Sequence, residues 1–146
     1  MNVSAKTILI LAANPKGTSQ LRLGDEVREI EAGLRRAQKR DEFVIKQRWA
    51  TTPLDMQRAI LDERPNIVHF CGHGAGEKGL VFEDKAGRPK SVTAKALTRL
   101  FSRLSDQVEC VLLNACYSDV QAKAIAQHID TVIGMSQAIG ALPSFW

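Results

Sequence analysis

The stretch NIVHFCGHG, Asn66 to Gly74, gathers two histidines, a cysteine and two glycines within nine residues. Imidazole beside sulfur supports two chemistries. Both groups are zinc donors, and an imidazole that takes a thiol's proton makes a nucleophile. His69, Cys71 and His73 alternate, so an unbroken strand would present all three on one face, with Cys116 as a fourth donor. Three features weigh against metal. Gly72 stands where the strand should end before His73, that face should lie under a helix, and no Cys-x2-Cys spacing is present. The nucleophilic reading pairs His73, flanked by Gly72 and Gly74, with Cys116 of a second stretch, NACYSD, 43 residues on (73 to 116). In this reading His69 is a core histidine hydrogen-bonded to backbone, Cys71 and Cys110 are small core residues, and His128 favours a helix C-terminus.

These residues need elements to hold them. TILILAA (Thr7 to Ala13) is a continuous apolar run, as expected of a strand buried on both faces of a parallel sheet. NPKGTSQLRLG reads as a loop, and DEVREIEAGLRRAQKR as a helix with Val27, Ile30, Leu34 and Ala37 on its apolar face. EFVIKQRWA is a more amphipathic strand, nearer an edge. Thr52-Pro53-Leu54-Asp55 is a helix start, with a capping threonine, proline at the first helical position and an acid three residues after the cap. NIVHFCG is the next buried strand. GLVFEDKAGRPKS is a hairpin turning at Gly87, followed by a helix carrying Leu97, Leu100, Phe101 and Leu104. VECVLLNAC, DVQAKAIAQHI and TVIGMS then read as strand, helix and strand.

Strands alternating with helices imply right-handed crossovers and an α/β fold, a parallel sheet covered on both faces. In such sheets chemistry collects beyond the C-terminal strand ends. His73 and Cys116 both fall there, and they face each other if their strands are neighbours. Cys116 also precedes a helix starting near Ser118 or Asp119, and a helix N-terminus favours a thiolate over a thiol. The backbone N–H groups of Gly74 and Cys116 are candidate oxyanion donors.

Composition narrows the classes. A chain of 146 residues is expected to form a single domain, residues 1–146, with a core that needs no staples. Its net charge of +4 and 5% aromatic content lack the basic stripe and stacking rings of a nucleic-acid surface. The densest basic run, Leu34 to Arg40, reads as a solvated helix end. Three cysteines and no signal-like or membrane-length apolar run lead to the expectation of a cytoplasmic protein with free thiols, binding neither nucleic acid nor membrane.

HFCGHG followed by LLNAC resembles the CHAT domain, a member of the caspase-like cysteine peptidases that also include caspases, metacaspases and separase. The pentapeptide Gln-Ala-Cys-x-Gly of caspases is replaced here by Asn114-Ala115-Cys116-Tyr117-Ser118, which looks like the CHAT variant. The spacing from His73 to Cys116 is close to the roughly 50 residues of caspase-type pairs. The opening ILILAANP…LRLGDEVREI is also similar to such domains, so the resemblance runs from Lys6 to Gly140.

This resemblance implies a three-layer α-β-α sandwich with a mostly parallel five-stranded sheet. It implies peptide-bond hydrolysis by a dyad of Cys116 and His73, acting on a peptide or protein substrate without metal or organic cofactor. It also implies a regulated role in bacterial defence or cell death, with a regulatory protein or complementary subunit as partner. Relatives continue with a further helix and strand, so a chain ending at IGALPSFW is expected to lack the last C-terminal elements. Asn114 stands where metacaspases carry an acid that selects Arg or Lys at P1. That preference does not carry over, and Asn114 remains a substrate-binding candidate. Arg22 lies in the loop comparable to the one whose arginine binds a P1 aspartate in caspases; a surface salt bridge is its other reading. Two further readings stay open: a non-catalytic CHAT-like interaction module, and a phosphate binder using NPKGTSQ, whose glycine content falls short of a P-loop.

Overall fold

The computed structural model describes residues 5–17 and 23–136. Arg22 therefore lies outside the described residues. The central sheet has five strands, all parallel, in the order β2-β1-β3-β7-β8. They are β1 (Lys6–Ala12), β2 (Phe43–Arg48), β3 (Ile67–Cys71), β7 (Cys110–Asn114) and β8 (Thr131–Ile133). The continuous apolar runs of β1 and β3 occupy the interior of the sheet, and the amphipathic β2 takes an edge. Between β3 and β7 the chain leaves the main sheet for a second, antiparallel one, made of β4 (His73–Gly74), β5 (Leu80–Glu83) and β6 (Pro89–Val92).

Helices cover both faces, so the α/β sandwich expected from the alternating pattern is the one that forms. On one face α1 (Leu23–Arg36) packs Leu23 and Val27 against Ile10, Ala12 and Cys71. On the other, α2 (Pro53–Glu63), α3 (Ala94–Ser102) and α4 (Asp119–Ile125) enclose Leu9, Leu11, Val68, Phe70, Val111 and Leu113. The start of α2 is the expected capping box. Thr52 Oγ1 accepts from the Asp55 N–H at 3.1 Å, and an Asp55 carboxylate oxygen accepts from the Thr52 N–H at 3.3 Å.

Two helix ends differ from expectation, and β7 and β8 are shorter than their apolar runs, ending at Asn114 and Ile133. The first helix stops at Arg36, so the basic run spills into a turn and a short 3-10 segment at Arg40–Glu42. The last helix stops at Ile125, where i→i+3 bonds such as His128 N–H to Ile125 O tighten the chain. His128 is thus exposed and lies three residues beyond the end of the helix, not within its last turn.

Candidate active site

Gly72 is where β3 breaks. A Cβ on it would lie 2.8 Å from Ala13 O and 3.0 Å from the Phe70 ring, so only glycine lets the chain turn so tightly against the loop after β1. Its N–H donates to Asn114 O at 3.2 Å, while Ala13 N–H donates to Cys71 O at 3.1 Å. The C-terminal ends of β1, β3 and β7 are thereby drawn together. His73 then starts a strand of its own, pairing with Val81, rather than ending β3. Phe82 of β5 packs on Phe70 of β3, ring centroids 4.9 Å apart, which seats the hairpin beside the main sheet.

The backbone beyond His73 runs into the turn beyond β7. A Cβ on Gly74 would sit 2.0 Å from Cys116 O and 3.1 Å from Cys116 C. This contact brings the two stretches, 43 residues apart (73 to 116), into van der Waals touch. Both His73 and Cys116 are half-buried. His73 Nε2 lies 3.1 Å from Asn14 Oδ1, and the Asn14 N–H donates to Glu83 Oε2 at 3.0 Å. Asn14 belongs to NPKGTSQ, whose sequence reads as a loop with phosphate binding as an alternative; it carries no sign that its first residue would reach the histidine. Asn14, Leu23, Trp49 and Glu83 also line a cleft of about 390 Å³ at this end of the sheet.

The turn carrying Cys116 is held from both sides. Tyr117 has φ 54°, a left-handed conformation that non-glycine residues seldom adopt. The buried Ser118 hydroxyl donates to Leu113 O at 3.2 Å and accepts the Met135 N–H at 3.1 Å, tying the ends of β7 and β8 together. It makes no side-chain cap to α4, although it stands at the cap position. Gln121 of α4, wholly buried, donates to Gly76 O at 2.6 Å and so links this helix to the turn after Gly74.

A second polar cluster lies on the α1 face, one residue pair below. Asn114 donates its side-chain amide to Glu26 Oε1, Cys71 Sγ donates to the same oxygen at 3.4 Å, and His69 Nε2 lies 3.5 Å from it. His69 therefore faces a carboxylate, not backbone as expected, and its Nε2 is buried without a hydrogen-bond partner among the described residues. Burial alone would raise the Glu26 carboxyl, but the polar groups of His69, Asn114 and Cys71 outweigh it and hold the group below its usual range. Burial and the Glu26 charge push the Cys71 thiol well above its usual range. Cys110 is only half-buried, at odds with a core role, and burial with the nearby Glu109 charge raises it too. The alternation of His69, Cys71 and His73 is broken at Gly72; the third donor beside His69 and Cys71 is Glu26, from a helix 43 positions upstream (26 to 69).

The model of the CHAT domain family matches residues 2–141, almost the whole chain. The chain belongs to the CHAT domain family. A relative from Gillisia limnaea (strain DSM 15749 / LMG 21470 / R-8282), described as "Probable protease", is 28% identical over 146 residues, covering 98% of this chain and 26% of the relative. Another, described as "Roc-COR-CHAT protease" and from an unknown prokaryotic organism, is 25% identical over 137 residues, covering 88% of this chain and 13% of its own length. The chain thus spans a minor part of each of these relatives. As a CHAT domain it falls among caspase-like peptidases, and the strand ends described above are where that family's chemistry would be sought. No helix among the described residues is long and apolar enough to cross a membrane.

Proposed function

We propose that this CHAT domain is a cysteine endopeptidase in which Cys116 is the nucleophile and His73 the general acid and base. The observation that carries the reading is the Gly74–Cys116 backbone contact, which sets the two motifs side by side at the C-terminal edge of neighbouring strands. Asn14 Oδ1 is an acceptor, so it favours a proton on His73 Nε2 and leaves Nδ1 as the basic nitrogen.

In the first step Nδ1 takes the Cys116 proton and the thiolate attacks the scissile carbonyl carbon, forming the C–S bond. Backbone N–H groups of Gly74 and Cys116 receive the oxyanion. The imidazolium gives its proton to the departing amine as the C–N bond breaks. The neutral imidazole so formed takes a proton from water, whose oxygen attacks the acyl carbon as the C–S bond breaks. This releases the acid and the Cys116 thiolate, which recovers its proton from the imidazolium. Asn114, a substrate-binding candidate by position, has its side-chain amide committed to Glu26 on the α1 face, so it has no step in this mechanism. The protease names of two much longer relatives support the peptidase reading; to it the proposal adds a protein substrate, a controlling partner and a bacterial defence or cell-death setting in the cytoplasm.

Thiol labelling joined to a cleavage assay tests this. Iodoacetamide near neutral pH should modify Cys116 before Cys71 or Cys110, whose thiolates are disfavoured. The same modification, Cys116→Ala or His73→Ala should each abolish cutting of a mixed peptide library while the fold is retained. A loss of about 10³-fold or more is expected, since residual activity of a dismantled catalytic unit comes from binding and the oxyanion site alone. Cleavage that survives Cys116→Ala sinks the mechanism.

A further inference from the structure

We propose that Glu26, His69 and Cys71 form a binding site for a thiophilic divalent cation, with zinc the best fit. One oxygen, one nitrogen and one sulfur donor, from α1 and β3, lie within 4.8 Å of one another. Two edges of this triangle are 3.4 Å (Cys71 Sγ to Glu26 Oε1) and 3.5 Å (His69 Nε2 to Glu26 Oε1). Metal–ligand bonds of about 2.0–2.3 Å in a tetrahedron give ligand–ligand edges of about 3.5 Å. Those two edges match such a tetrahedron, and the third pair, His69 and Cys71, also lies within 4.8 Å.

Each donor suits the role. His69 Nε2 is a buried polar atom that makes no hydrogen bond among the described residues; the Glu26 carboxylate, 3.5 Å away, is its polar neighbour. The Glu26 carboxylate is half-buried and lies within reach of both other donors. Cys71 is completely buried, and metal binding would convert its thiol to thiolate with release of one proton to solvent. The mixed N/S/O set selects zinc over magnesium or calcium, which take oxygen ligands. The side chains of His69 and Glu26 retain 14% and 23% exposure, so the cluster borders solvent, and water would supply the fourth ligand. The Asn114 amide already bonded to Glu26 would remain as an outer partner orienting the carboxylate. Such an ion would brace α1 against β3 directly below the strand ends that carry His73 and Cys116, without using either residue.

Cobalt(II) substitution tests this with a readout independent of proteolysis. The chelator-treated, folded protein should take up one equivalent of cobalt(II), show a thiolate-to-cobalt charge-transfer band in the near ultraviolet, and release the cobalt to added zinc. The band should persist in Cys116→Ala and vanish in Cys71→Ser, and zinc should raise the melting temperature of the wild-type protein but not of Glu26→Gln. A wild-type protein that gives no band overturns the proposal, whatever the variants do. So does a band kept in Cys71→Ser or lost in Cys116→Ala, which would assign the thiolate elsewhere.

Discussion

His73 is held by a side chain from 59 positions earlier in the chain. Asn14 does not reach the reacting atoms in the proposed mechanism; it acts by fixing which imidazole nitrogen carries the proton. Asn14→Ala should therefore lower kcat by about 10–100-fold, less than loss of a dyad member, because general acid–base catalysis as a whole contributes about 10²–10⁴-fold. KM and the melting temperature should change little, since Asn14 is part-exposed and its backbone bond to Glu83 survives the substitution. Steady-state kinetics on a cleaved peptide checks this. An unchanged kcat would mean that the imidazole is oriented by other means. The same residue marks a limit of sequence reading. His73 and Cys116 could be singled out as candidates because a glycine-flanked histidine and a cysteine after an apolar run are local signals, though Cys116 stands in the turn beyond β7 and not at its end. Asn14 was not, because its importance lies in a contact between loops, and loop composition carries no register.

At the scale of elements, the buried strands and their succession along the chain were legible because runs such as TILILAA are almost wholly apolar. Which strands lie side by side the sequence left open, and the structure sets β3 beside β7. The two-residue strand at His73–Gly74 was not legible, since periodicity needs more residues than that to register. Its placement rests on Gly74, which makes a direct prediction. A methyl group there would overlap Cys116 O, so Gly74→Ala must push β4 and the nucleophile turn apart. A stability loss of about 1–3 kcal/mol is expected from such overpacking, with a further loss of activity in the fraction that remains folded. Gly33→Ala is the control. Gly33 is exposed in α1 and has nothing within 4 Å of an added Cβ, so the change should stabilise by about 0.5–1 kcal/mol through helix propensity. Denaturant melts and activity per folded molecule distinguish the two. Equal behaviour of the two variants would show that the Gly74–Cys116 approach is not tight.

For the whole molecule, the Glu26 cluster couples α1 to the centre of the sheet, and through it global stability to pH. The sequence presented Glu26 only as an acid in a helix's first turn, because nothing local connects it to His69, Cys71 or Asn114 on strands far along the chain. In the folded protein its carboxyl titrates below the usual glutamate range, whereas in the unfolded chain it titrates normally. Between those two values the unfolded state binds more protons, so stability rises with pH. The contribution is fully present above the ordinary glutamate range and is lost as the pH falls through the folded value. Chemical denaturation in chelator-treated buffer should show the wild-type protein weakening across this acidic window. Glu26→Gln should be less stable at neutral pH by about 1–2 kcal/mol, the cost of unmatched polar partners, and should show a shallower acid slope because one titrating group is gone. Parallel pH profiles for the two proteins would mean that Glu26 titrates alike in both states and that its neighbours do not favour the charge.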